Sequence, residues 1–230
     1  MTKRIYLMAI LALALVPNLL FAQSFEEGRH YIALEAPTNV PTDRVVVTEA
    51  FAYPCPACRN FLPIMTDWAD NAPSFVEVER LPIVLRPSWE PFARAYYTAQ
   101  AMGLDHEAHE VTFKALHDER QPIRSMRDIG ELYEPFGVDA DAFVAMSESF
   151  AVESQMGRNR SEVRRFGVRS TPSVIVQGKW RMNLNEFGSY QEMMQAVDEL
   201  VAREAALLDL SDAADDANAT EDSGADSEAS

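Results

Sequence analysis

Cysteine, histidine, glycine and basic side chains are all scarce in this chain: two Cys, four His, nine Gly, and 20 Lys and Arg against 36 Asp and Glu in 230 residues. Two cysteines, Cys55 and Cys58, exclude a disulfide-stapled scaffold, which needs several bridges to stand in for a core. The formal charge of −16 and the lack of a basic patch exclude nucleic acid as an expected partner. A zinc site needs a second thiol pair or a histidine close in sequence, and the one C-x-x-C has neither. No metal and no cofactor are therefore expected. Beyond the N-terminus, no apolar run approaches the ~20 residues that cross a bilayer.

What is present begins with an address. Lys3 and Arg4 precede an apolar run from Ile5 to Val16, followed by Pro17-Asn18 and Leu19-Leu20-Phe21-Ala22. A basic start and a short apolar stretch read as a secretory signal over residues 1–22, although Leu20 is larger than the usual third residue before such a cleavage point. An uncleaved membrane anchor is the competing reading. Either way the rest of the chain is exported, to a compartment where disulfides persist. At the other end, Asp209 to Ser230 holds eight acids and no Lys or Arg. Its Ala/Ser/Asp composition predicts a disordered solvating tail over 209–230. A partner-binding role is the alternative.

The two cysteines are too few for a framework and read as a tool. Val45-Val46-Val47-Thr48-Glu49-Ala50-Phe51 is β-branched, apolar and too short for a helix, which predicts a strand. Apolar residues at 61, 62, 64, 65 and 68 then give a helical stripe. Pro56 suits the first helical position, which leaves Cys55 at the N-cap, exposed, beside unpaired N–H groups and the positive end of the helix dipole. A thiolate is stabilised there and its pKa falls. Cys58 lies one turn on, on the same face and more covered. A purely structural disulfide is the plainer alternative, but a four-residue ring closes little chain entropy.

The remainder alternates in character. Tyr31–Leu34 suits a short edge strand, and Ser74 to Leu85 a strand parallel to 45–51 through a right-handed crossover. From 88 to 166 the periodicity is helical, punctuated by Gly103, Pro122, Pro135 and Gly137, which predicts an all-helical insertion. His106, His109 and His117 fall within it. A metal site is the sharp reading of His106 and His109, which could meet on one helix face, and a solvated helix face the expected one. Arg158, Arg160, Arg164 and Arg165 on the last inserted helix read as surface charge. From 167 to 208 the pattern predicts a loop with Thr171–Pro172 in cis, a strand, a two-residue turn at Gln177-Gly178, a second strand and a long amphipathic helix.

With those residues in view, the chain from about Tyr31 to Leu208 resembles the DsbA family of exported thiol:disulfide oxidoreductases. The resemblance rests on Glu49-Ala50-Phe51-Ala52-Tyr53-Pro54-Cys55-Pro56-Ala57-Cys58 and Gly167-Val168-Arg169-Ser170-Thr171-Pro172, with Val176-Gln177-Gly178-Lys179 after it. It implies an α/β thioredoxin fold with an inserted all-helical domain, first part 23–87, insertion 88–166, second part 167–208. It also implies that Cys55 exchanges with substrate sulfur, that Cys58 resolves the mixed disulfide, and that Pro56 and Ala57 form the active-site dipeptide. Thr171 and Pro172 become a cis-proline loop that binds extended substrate. Glu49 matches a buried acid beneath the cysteines, with Arg80 near the place where the family often has Lys; a surface carboxylate at a strand end is the other reading of Glu49.

The implied activity is disulfide formation in reduced or unfolded exported proteins, by a periplasmic monomer re-oxidised by a quinone-linked membrane partner. A reductase or isomerase of the same fold, or a peptide-binding chaperone, are the alternatives. One departure bears on strength. Pro-Ala stands where the strongly oxidising relative has Pro-His, and Ala57 cannot favour a thiolate as imidazole does, so a milder oxidant is expected.

Overall fold

A five-stranded sheet carries the chain: β1 (Tyr31–Ala33), β2 (Val45–Phe51), β3 (Val76–Pro82), β4 (Ser173–Val176) and β5 (Trp180–Asn183), in the spatial order β1-β5-β4-β2-β3. The structure is a computed structural model that describes residues 25–35, 40–104 and 106–210. The expected signal segment and the acidic tail from 211 onward lie outside the described residues. All seven residues of β2 are buried, as a β-branched run with apolar layers on both faces requires. β2 pairs in parallel with β3, and β4 runs antiparallel to both β2 and β5. Register sets Glu49 beside Arg80 on one side and Val174 on the other.

Helix α1 (Pro56–Asp70) is the crossover between β2 and β3. Between β3 and β4 lie α2 (Glu90–Ala101), α3 (His106–Phe113), α4 (Met126–Tyr133), α5 (Ala140–Ser147) and α6 (Phe150–Phe166), and α7 (Tyr190–Leu207) closes the chain. Short polar side chains start four of these helices. Ser125 and Asp128 form a reciprocal capping box on α4, and Asp139, Ser149 and Ser189 cap α5, α6 and α7, each satisfying an N–H that the helix leaves open. Gly167 ends α6 at φ +60°, and a Cβ there would meet the Arg181 guanidinium at 2.6 Å. That guanidinium donates to the Phe166 carbonyl at 2.7 Å and to that of Gly167, so the last turn of α6 is tied to β5.

The β4–β5 hairpin departs from the two-residue turn expected. Val176 pairs with Trp180, leaving three residues between them. Gln177 and Gly178 take positive φ (51° and 61°), and Lys179 donates its N–H to the Val176 carbonyl at 2.9 Å. A glutamine holds that conformation because its side chain is anchored: Oε1 accepts from Val46 N–H at 2.7 Å, and Nε2 donates to Pro41 O at 2.8 Å.

Two apolar clusters meet along α1. In the first, Val45, Val47, Val174, Val176 and Met182 of the sheet pack with Phe61 and Met65 of α1 and with Met193, Val197, Leu200 and Val201 of α7. In the second, beyond the end of β2, Phe51, Tyr53, Cys55, Cys58 and Leu62 pack with Tyr96, Tyr97, Phe113, Val152 and Met156 from the inserted helices. Helix α1 thus divides its faces, and its thiols belong to the insertion side.

Candidate active site

The chain leaves β2 at Phe51 and turns through Ala52-Tyr53-Pro54-Cys55, where Cys55 N–H donates to Ala52 O at 3.0 Å. Cys55 is the N-cap of α1 (φ −92°, ψ 114°), with Pro56 directly after it. The proline's missing N–H costs nothing at that position, and the next amides point toward the Cys55 sulfur. Both cysteines are thiols in this structure.

Their acidities are driven apart. The Cys55 pKa falls from 9.0 to about 5, chiefly because the Cys58 thiol donates to its sulfur, with further donors in the Cys58 and Ala57 amides, against an opposing effect of burial. Burial pushes the Cys58 thiol far up, and the neighbouring Cys55 adds to that. Cys58 is 0 % exposed and Cys55 only 8 %. The expectation of an exposed Cys55 is thus corrected. The loop before β4 leans over the sulfur, bringing Thr171 O to 3.5 Å from Sγ. The Thr171–Pro172 bond of that loop is cis.

Glu49 lies within the sheet, fully buried, with Arg80 Nε at 3.4 Å from Oε2. Burial raises its pKa from 4.5 to about 6, and the Arg80 cation pulls the other way without cancelling the effect. Glu49 is therefore no surface carboxylate. Arg80 borders a cleft of about 410 Å³ between α1 and α3, lined also by Arg59, Leu62, Thr66, His109 and Glu110.

His109 is not on a solvated face. His109 is 3 % exposed, with its ring against Phe51, Tyr53 and Phe113 and Nδ1 at 3.2 Å from Tyr53 Oη. His117 Nε2 is 2.7 Å from Tyr53 O. Both belong to the packing behind the active-site turn. Nothing is described of the His106 side chain, and no cluster of metal-ligating side chains occurs among the described residues. The spacing of His109 with Thr112 and Phe113 is the signal that could have revealed this, since residues three and four apart share a helix face. The arginines of α6 fit the expectation better: Arg160 pairs with Glu153, and Arg165 with Glu162. A further contact escaped the sequence. Tyr190, at the start of α7, donates its hydroxyl to Ala57 O at 3.0 Å.

Two adjacent thiols of opposed acidity are the requirement for dithiol–disulfide exchange, and the sheet and crossover that hold them are those of thioredoxin. This is a thiol:disulfide oxidoreductase on a thioredoxin-like α/β fold. Comparison with known proteins narrows the class: residues 46–197 match the family model for the DSBA-like thioredoxin domain, and the chain belongs to that family. It is 28% identical over 206 residues to the thiol:disulfide interchange protein DsbA of Pseudomonas aeruginosa, covering 89% of this chain and 98% of that one. The crystal structure of Pseudomonas aeruginosa DsbA superposes with a TM-score of 0.75, at 28% identity over 81% of this chain and 97% of that chain. Proteus mirabilis DsbA, as a cysteine-to-serine variant with a non-covalently bound peptide PWATCDS, superposes with a TM-score of 0.65 at 26% identity, over 80% of this chain and 98% of that one.

Proposed function

We propose that this oxidoreductase works as an oxidase, introducing disulfides into reduced exported proteins through Cys55 and Cys58. The observation that carries the direction is the stabilised Cys55 thiolate. Whatever stabilises the dithiol form relative to the disulfide raises the reduction potential, and so favours taking electrons from substrate.

The exchange proceeds in two displacements. A substrate thiolate attacks Cys55 Sγ of the disulfide, the Cys55–Cys58 bond breaks, and its electron pair leaves on Cys58, which takes up a proton. The second substrate thiolate then attacks the substrate sulfur of the mixed disulfide and expels Cys55 as a thiolate. Two electrons pass from the substrate dithiol to the protein. Cys55 leaves readily because its thiolate is stable, whereas Cys58, buried and of high pKa, needs that proton. Glu49, with its pKa near neutrality, suits the role of proton donor to Cys58. The Thr171–Pro172 loop offers its backbone to an extended substrate chain, in keeping with the peptide bound by the Proteus mirabilis relative.

The reading places the protein in the periplasm as a monomer without cofactor, re-oxidised by a quinone-linked membrane partner. No helix among the described residues is long and apolar enough to cross a membrane. With Ala57 in place of histidine, it is a milder oxidant than the Pro-His enzymes.

The test is the equilibrium of the pair against a glutathione redox series. A potential more oxidising than the glutathione pool is expected, and one as reducing as that of thioredoxin would overturn the oxidase reading. Cys55→Ser should abolish oxidation of a dithiol peptide altogether; an effect on folding of unfolded proteins that survives it undiminished would point to a chaperone instead.

A further inference from the structure

Helix α3 does not finish as an α-helix. Its last turn, Lys114–Asp118, is π-helical, a form that occurs mostly as single turns and often at functional sites. Relative to an uninterrupted α-helix, one added residue rotates the side chains that follow by about 100°. Two of those side chains reach the active-site segment from opposite ends.

His117 takes the N-terminal end. Its Nε2 lies 2.7 Å from Tyr53 O. A carbonyl can only accept, so Nε2 carries the proton and donates. Tyr53 is inside the turn that Cys55 N–H closes on Ala52 O, so this bond fixes the backbone immediately before the reactive sulfur. Asp118 takes the C-terminal end. It accepts from Arg59 Nε at 3.2 Å and from the guanidinium terminus at 2.6 Å. Arg59 is the residue after Cys58, and its own N–H bonds Cys55 O at 3.1 Å. Four residues apart on one helix, Arg59 and Cys55 share a face. A guanidinium there would stabilise the Cys55 thiolate, but Asp118 holds it in a two-point pair. The other charges near the turn are Glu110, which also acts on Arg59, and Lys114 and Glu119, paired with each other at 3.2 Å.

We propose that the π turn is a two-sided positioning device for the thiol pair, in which His117 holds the loop before Cys55 and Asp118 restrains the cation after Cys58. His117 then supplies, from a neighbouring helix, an imidazole N–H to a segment that has Ala57 between its cysteines. The two residues act in opposite senses. His117 favours the reduced form by keeping Cys55 at the helix N-terminus, and Asp118 disfavours it by occupying Arg59.

This rests on the reading of Cys55 as the exchanging sulfur, and opposed signs are its signature. The full chain and its H117A, H117Q and D118N variants are equilibrated with glutathione, and the Cys55 thiolate is titrated by its ultraviolet absorbance. H117A should lower the equilibrium constant for oxidising glutathione about tenfold, equivalent to about 30 mV, and raise the Cys55 midpoint. H117Q, which keeps an N–H of similar reach, should stay within threefold of the parent. D118N should raise the constant severalfold and lower the midpoint. Shifts of the same sign in H117A and D118N would mean simple loosening, and shifts below twofold in both would mean no role; either result overturns the device while the oxidase reading stands. If H117A does not fold, the sign of D118N decides. A parent chain with no measurable exchange would overturn the functional reading and the device with it.

Discussion

The two clusters that meet along α1 are built from different materials. Toward α7 the buried side chains are mainly aliphatic and methionine, with Phe25, Tyr31 and Phe61 the aromatics among them. Glu204 of α7, fully buried, is satisfied by Lys179 Nζ at 2.5 Å and Trp180 Nε1 at 2.7 Å. Toward the inserted helices the layer is aromatic and threaded with polar groups. Asn159 donates to Pro82 O and Tyr97 Oη, Thr112 bonds Tyr133, and His109 bonds Tyr53. The thiols belong to this second cluster. Apolar packing is non-directional and roughly additive in area, so it can hold a fold but cannot tune a sulfur. Hydrogen bonds and charges in a low dielectric are directional and strong, and they lie where the acidity of two cysteines must differ.

Substitutions in the two clusters should therefore separate stability from redox behaviour. The largest effect on stability is expected on the aliphatic side. Met65→Ala removes a fully buried side chain of α1 and should cost about 2–5 kcal/mol in urea unfolding. Its potential should match the parent, because both redox forms lose the same packing; a large shift in potential would break the division between the clusters.

Glu49 gives the next effect, and it depends on pH. Its pKa of about 6 exceeds the 4.5 of an ordinary carboxyl, so between those values the folded chain keeps a proton that the unfolded chain has released. Stability then falls as pH rises through this window, and the loss above it is about 2 kcal/mol. Glu49→Gln cannot ionise and should flatten this part of the profile, measured as urea midpoints at pH 4 and pH 7. An unchanged slope would assign the titration to another group. The smallest effect falls where the layers meet. Tyr190→Phe deletes the hydroxyl that binds Ala57 O and should cost about 1 kcal/mol, with a smaller shift in potential than His117→Ala. A larger one would make α7 part of the tuning layer.

Legibility in the sequence followed the same division. β2, the α1 stripe and the long α7 stripe were readable because a helix or strand packed on one apolar layer writes its period into the chain. The pairing of Glu49 with Arg80 was reachable through the resemblance and the parallel register. His109 was misread as solvated, and the contact of His117 was not foreseen. Each looks polar alone, and only α3 packed over Phe51 and Tyr53 makes one a buried ring and the other a donor to a backbone carbonyl. The depth of Cys55 was misread for a like reason, since its cover is a loop more than a hundred residues away.

By itself the sequence determined the strand–turn–helix that carries Cys55-Pro56-Ala57-Cys58, the N-cap position of the first sulfur, and the helical character of the insertion. These are local: neighbouring residues, their periodicity and a proline at the first helical turn dictate them. Tertiary structure alone decided how acidic each thiol is, which carboxyl is buried, and what the π turn grips. Those properties depend on the dielectric and the donors around a group, and folding brings such neighbours from segments that the sequence keeps far apart.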